Sequence, residues 1–250
     1  MARAGCRLLY AWPDLWAPPL ALLQVKSINF SPAGDQLLTV SEDMGLRVYD
    51  TGSEGELKKT LFAKKFGVGL ARFLHDPSCV VCASSNQHQD HALRYWSVHN
   101  NCYLRYFKGA FPPHVNPGTR AEPPRPRGRP GLKTRERRAT GHKAPVVSLH
   151  VSPKDDTFIS ASADGQVRLW DVRQDECTGL IRLANNFRPS VSYDPSGKIF
   201  AATVNPHCVN LYSAESPNAG PFLAIEHKGV GQVNALKFSA DGAHLLLCGE

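Results

Sequence analysis

Short apolar runs along this chain alternate with polar residues on a period of two, and clusters of Ser, Pro, Asp and Gly interrupt them. That is the pattern of half-buried β-strands joined by tight turns. The clearest instance lies between Gly141 and Arg173. Val147, Leu149 and Val151 alternate with small or polar residues, which predicts a strand with one buried face. Ser152-Pro153-Lys154-Asp155-Asp156 predicts a turn. Thr157 to Ser162 is the next strand and Gln166 to Trp170 a third. Between them Ala163-Asp164-Gly165 makes a tight hairpin, because Asp and Gly tolerate positive φ.

The same unit recurs on both sides. Upstream, VKSINF, QLLTVS, LRVYD and LKKTLF predict four strands, with SPAGD as a turn and SEDMG as a hairpin. GVGLARF, CVVCASS, ALRYWS and YLRYFKG predict four more, with NQHQDH as a longer polar hairpin. Downstream come PSVSYDPSG, KIFAATV, CVNLYS and GPFLAI, then QVNALKFSADG and HLLLCG. Turn residues mark the period. Pro32 to Pro77 is 45 residues, Pro77 to Pro153 is 76, Pro153 to Pro195 is 42, and Ala240 occupies the same slot 45 further on. The long interval is one period plus an insertion.

The insertion is residues 110–140. Seven of its 31 residues are Pro and three are Gly, with eight Lys or Arg against two Glu. It has no strand or helix period and few apolar residues, so disorder is expected. It carries a net +6 of the chain's +7, so the basic character belongs to this loop and the repeats are close to neutral. Non-specific attraction to nucleic-acid phosphates is the corresponding expectation. Within it, Arg127, Gly128, Arg129 and Pro130 resemble the core of an AT-hook, in which Gly lets the backbone reach the floor of a narrow minor groove and the Arg side chains run along it. A solvated linker, or sequence from an imperfectly spliced reading frame, is the alternative reading.

Seven scattered cysteines argue for a reducing compartment and against a disulfide framework. Cys79 and Cys82 form a lone CxxC, but residues three apart on a strand point to opposite faces, and no second ligand pair accompanies them. No metal, cofactor or small-molecule substrate is expected. No run reaches the ~18–20 apolar residues of a membrane span. Residues 1–24 are apolar and carry Arg3 and Arg7, but Pro13, Asp14, Pro18 and Pro19 break the run that a signal peptide needs.

Gly141-His142 at one end of the unit and Trp170-Asp171 at the other, on a period of about 40–45 residues, resemble a WD-repeat propeller blade. The fold expected from that resemblance is an all-β WD-repeat β-propeller of about four complete blades plus part of a fifth, an incomplete ring. Residues 1–24 form an N-terminal segment of unassigned structure and 25–109 hold blades one and two. Residues 110–140 are the disordered loop, and 141–250 hold blades three, four and part of five. The resemblance further implies that His142, Ser160, Asp164 and Trp170 form one hydrogen-bonded chain. The carboxylate sets the imidazole tautomer, the imidazole meets the hydroxyl, and the hydroxyl meets the indole N–H. A Ser/His/Asp set also suggests a hydrolase, but a nucleophile needs an exposed oxygen and an oxyanion site, and the chain has no Gly-x-Ser-x-Gly elbow.

LKKTLFAKKFGVGLARFLH, ALRYWSVHNNCYLRYFKG, the Gly141–Arg173 stretch, and SYDPSGKIFAATVN with NLYSAESPNAGPF narrow the resemblance. They are similar to the family of WD repeat-containing protein 82, in which YLRYFKG and GHKAPVVSL are joined directly. That likeness implies a nuclear, non-enzymatic scaffold. Its implied partners are histone lysine methyltransferase subunits of the COMPASS type, subunits of a phosphatase complex, and the C-terminal domain of RNA polymerase II. Trp170-Asp171-Val172-Arg173 also resembles the box by which ubiquitin-ligase substrate receptors meet their adaptor, which makes Asp171 and Arg173 candidate contacts. Residues 1–24 depart from the family's start, and the family has about seven blades. A truncated splice product without independent function is therefore a competing expectation.

Overall fold

The computed structural model describes residues 24–52, 55–85, 91–107, 141–174, 177–183, 187–227 and 233–249. Eighteen strands make up five antiparallel sheets among them. The first sheet holds β1 (Val25–Phe30), β2 (Gln36–Ser41), β3 (Gly45–Asp50) and β4 (Leu57–Phe62). The second holds β5 (Leu70–Phe73), β6 (Cys79–Ala83), β7 (Leu93–Ser97) and β8 (Cys102–Phe107). The third holds β9 (Val146–Val151), β10 (Thr157–Ser162), β11 (Gln166–Asp171) and β12 (Cys177–Arg182). The fourth holds β13 (Val191–Tyr193), β14 (Ile199–Asn205), β15 (Cys208–Ser213) and β16 (Leu223–Glu226), and β17 (Val233–Phe238) pairs with β18 (Leu245–Gly249). Each sheet is a plain meander in chain order, the arrangement of a propeller blade.

The turn chemistry anticipated in the sequence is in place. Gly165 takes φ 71° at the hairpin between β10 and β11, whose register runs from Thr157 opposite Asp171 to Ser162 opposite Gln166. In the first blade the equivalent slot is filled by Met44 at φ 62°, a left-handed conformation that costs a side-chain-bearing residue energy glycine does not spend. One strand was not anticipated. The sequence reading stops the third blade at Arg173, whereas β12 (Cys-Thr-Gly-Leu-Ile-Arg) pairs with β11 as its outer strand. Gly179 obscures it, since Gly weakens a strand pattern. Here it fits because a Cβ would lie 3.1 Å from the Pro217 side chain and 3.2 Å from Leu169.

Among the described residues the core consists of four clusters, one between each pair of successive blades. Leu38, Val40, Leu46 and Val48 of the first blade pack on Phe73, Val80, Cys82 and Trp96 of the second. Val81, Leu93 and Phe107 on the opposite face of that sheet pack on Leu149, Phe158 and Trp170. Ile159, Val167 and Leu169 meet Val191, Phe200 and Tyr212, and Ala201, Val209 and Leu211 meet Leu236 of the fifth. Each middle sheet is thus buried on both faces. That explains why CVVCA in β6 is buried throughout, where an exposed-face strand would alternate.

Hydrogen bonds stitch the inner strands across three of these seams. An inner strand has an unpaired backbone edge that needs partners. The Phe73 amide donates to Asn29 Oδ1 (2.8 Å), Val191 to Ser148 Oγ (3.1 Å), Tyr193 to His150 Nδ1 (3.3 Å) and Leu236 to Ser190 Oγ (3.2 Å). In each case the side chain belongs to the blade before.

Phe107 closes β8 against the third blade, with its ring 5.1 Å from Phe158 and 5.5 Å from Trp170. Phe107→Ala is expected to lower unfolding stability by about 3–5 kcal/mol through lost burial and a residual cavity. Urea unfolding checks this; a loss near that of a surface substitution would show that the seam collapses around the gap.

Candidate functional site: the polar network of the third blade

The candidate site lies where β10 and β11 turn, beneath the segment that leads into β9. Trp170 Nε1 donates to Ser160 Oγ at 2.7 Å, and His142 Nε2 lies 2.7 Å from the same oxygen. His142 Nδ1 is 3.5 Å from Asp164 Oδ1, a close electrostatic contact longer than a well-formed hydrogen bond. Asp164 in turn accepts the Lys143 amide at 2.8 Å and the Gln166 amide at 3.0 Å. Ser162 Oγ accepts the Asp164 amide and donates to the Ala144 carbonyl at 2.8 Å. The hairpin, the strand and the incoming segment are thereby tied by one polar chain.

The proton positions follow. With Asp164 facing Nδ1, the neutral ring carries its proton there. Ser160 then donates to Nε2 and accepts from the indole. Burial holds the His142 imidazole below its ordinary range, opposed by the Asp164 carboxylate. Burial alone would raise the Asp164 pKa, but the bonds from His142 and the Lys143 amide outweigh it and keep the group ionised.

This arrangement does not suit nucleophilic catalysis. Ser160 has no exposed surface, and its oxygen is shared between an indole N–H and an imidazole. A substrate carbonyl cannot approach, and a serine nucleophile needs that approach. The chemistry available is structural: it fixes a hairpin against a core tryptophan.

The sequence reading missed a counterpart in the first blade. Ser41-Glu42-Asp43 with Arg47 repeats the spacing of Ser162-Ala163-Asp164 with Arg168. Asp43 accepts from Arg47 and from the Gly45 amide at 2.9 Å, and Arg47 Nη1 reaches Ser41 Oγ at 2.6 Å. The Arg47 guanidinium holds the Asp43 carboxyl down at about 2. A charged arginine here meets the carboxylate where the third blade places a neutral imidazole.

Asp171 Oδ1 accepts the Arg173 amide at 2.8 Å, and Arg173 is exposed beyond the strand end. Arg127, Gly128, Arg129 and Pro130 lie outside the described residues, as do residues 86–90 of the NQHQDH hairpin and residues 1–23. Cys79 packs into the seam with the third blade and Cys82 into the seam with the first. They point apart, and burial pushes the Cys82 thiol up to about 12, so the pair cannot chelate one ion from one side.

Ser160→Ala orphans the indole N–H and the His142 Nε2 together. It is expected to lower stability by about 3 kcal/mol, the cost of two buried polar groups left unpaired, measured by urea unfolding. Acidification acts on the histidines. Burial and the neighbouring Arg72 and Lys237 push His150 down to about 4. The unfolded chain binds protons at the ordinary histidine value of about 6.5, so between the two pH values it takes up protons that the folded chain refuses. Stability is therefore full above about pH 6.5 and falls as the pH drops from there toward 4. The urea midpoint at pH 7.5, 6 and 5 should fall in that order; an unchanged midpoint would contradict the burial of neutral histidine.

Comparison with known proteins supports the same architecture. The WD domain, G-beta repeat model matches residues 21–50 and 134–171. WD repeat-containing protein 82 of Drosophila melanogaster is 34% identical over 226 residues, covering 90% of this chain and 60% of that protein. Set1 complex component swd2 of Schizosaccharomyces pombe is 33% identical over 232 residues, covering 90% of this chain and 54% of that protein. COMPASS component SWD2 of Saccharomyces cerevisiae is 31% identical over 228 residues, covering 89% and 57%. The chain spans a little over half the length of these relatives. Blades, repeat motif and similarity together show a WD-repeat β-propeller fold.

Proposed function

We propose that the chain is a non-catalytic WD-repeat scaffold subunit of a nuclear histone lysine methyltransferase complex of the COMPASS type. The observation that carries this reading is the similarity, over about nine-tenths of the chain, to a Set1 complex component and a COMPASS component. The site chemistry is in keeping with it. The Ser/His/Asp set is buried and committed to holding a hairpin, and the blades present broad faces with exposed corners for protein contact. Within this reading the finer partners are phosphatase-complex subunits and the C-terminal domain of RNA polymerase II. His142, Ser160, Asp164 and Trp170 hold the third blade, and Asp171 with Arg173 presents a corner to a partner.

The test is affinity purification of the tagged chain from nuclear extract, with and without residues 110–140, and identification of partners by mass spectrometry. Methyltransferase-complex subunits are expected with both forms. Recovery of chaperones alone would sink the scaffold reading. Loss of partners, or of DNA retention, on deletion of 110–140 alone would move the function to the basic insertion.

A further inference from the structure

Ile28, Phe73, Leu149, Val191 and Leu236 hold one position on the five inner strands, four residues before the turn residue of each repeat. Phe73, Leu149, Val191 and Leu236 are 4%, 2%, 3% and 7% exposed, because each faces the blade before it. Ile28 is 52% exposed. Alternation puts Phe30, 57% exposed, on the same face as Ile28. The register sets Leu37 opposite Phe30 and Tyr49 opposite Leu37, so an apolar row crosses three strands. The first blade thus carries the apolar half of a seam, and among the described residues no other blade packs on it. Its one charged pair, Arg47 with Asp43, is self-compensated, so the face offers no net charge to a ligand.

An apolar surface of this kind is costly to leave in water. The chain itself holds a cover of matching chemistry. Residues 1–23 lead into β1, and the Gln24 carbonyl accepts the Glu42 amide (3.1 Å), which fixes the entry point beside the β2–β3 hairpin. The segment contains Leu8, Leu9, Tyr10, Trp12, Leu15 and Trp16, and its charged side chains are Arg3, Arg7 and Asp14 alone. At about 3.3 Å per residue it reaches well beyond the roughly 15 Å that four paired strands span. Pro13, Pro18 and Pro19 have no amide N–H to give to a strand ladder, which favours contact through side chains over pairing at an edge.

We propose that residues 1–23 fold back over the open face of the first blade and set their apolar side chains against Ile28, Phe30, Leu37 and Tyr49. The tether keeps the segment at an effective concentration on the order of millimolar. A second copy, or another protein, must compete from free solution, so the segment shields the face from both.

Photocrosslinking of the full chain tests this, with benzoylphenylalanine in place of Trp16 and the products mapped by mass spectrometry. The expected product joins position 16 to peptides containing Ile28 and Phe30, or Leu37, within one chain. Phe30→Asp and Ile28→Asp, made separately, should each cut its yield about tenfold by placing a charge where an apolar contact forms. Both positions are exposed, so the urea midpoint should hold and show that the fold persists. Leu104→Asp, on the exposed outer strand of the second blade, should leave the yield unchanged. Crosslinks confined to other surfaces would overturn the proposal. So would a yield that neither Phe30→Asp nor Ile28→Asp moves, which would mark tethered proximity without contact. Products joining two chains would overturn it as well and assign the face to a second copy.

Discussion

Every blade in this chain depends on the next one for half of its core. A four-stranded sheet has two faces, and in the second, third and fourth blades both are apolar. Such a sheet cannot be stable alone, because one face would always meet water. Stacking blades around a common axis resolves this. Phe158 feeds the seam with the second blade and Ile159, the next residue, feeds the seam with the fourth. The alternation of a strand becomes the alternation of two interfaces. Stability is then largely a sum of neighbour contacts, as in other repeat architectures.

The polar groups serve that same constraint. Backbone donors on the inner edges find acceptors on the preceding blade, so the seams are held by directional bonds as well as by burial. At the hairpin end, burying Trp170 requires an acceptor for its N–H, and Ser160 supplies it. The serine then needs an orienting partner, His142, and the imidazole needs Asp164. A set of residues that would be chemically reactive in an open cleft becomes a brace once no surface is left to it. The first blade reaches the same end with Arg47 on Asp43, so the carboxylate is the common feature and its partner varies, a cation in one blade and a neutral ring in the other.

That division shapes the functional reading. With its reactive-looking side chains internal, the chain offers blade corners, outer strands and an inner wall to its surroundings. The outer strand β16 is exposed along its whole length, and Arg173 stands free of the strand it follows. A scaffold role needs such surfaces and no chemistry. The basic charge is concentrated in a separate segment, residues 110–140, so any contact with nucleic acid through it is separable from the contacts of the blades.

The sequence by itself determined the strands, their period and the turn positions. Those depend on local patterning: alternation within Val146–Val151, the Asp-Gly hairpin at 164–165, and a turn residue about every 45 positions. It also named the residues that converge on Ser160, because a repeat motif conserves spacing. It did not reveal β12, whose Gly179 fits only against Pro217 from the following blade. Nor did it reveal which face of each strand meets which neighbour; that Cys79 and Cys82 face apart was legible from their spacing, but not which seam each one enters. Local propensity acts over a few residues, whereas seams and walls arise from contacts between blades, and tertiary packing alone sets those.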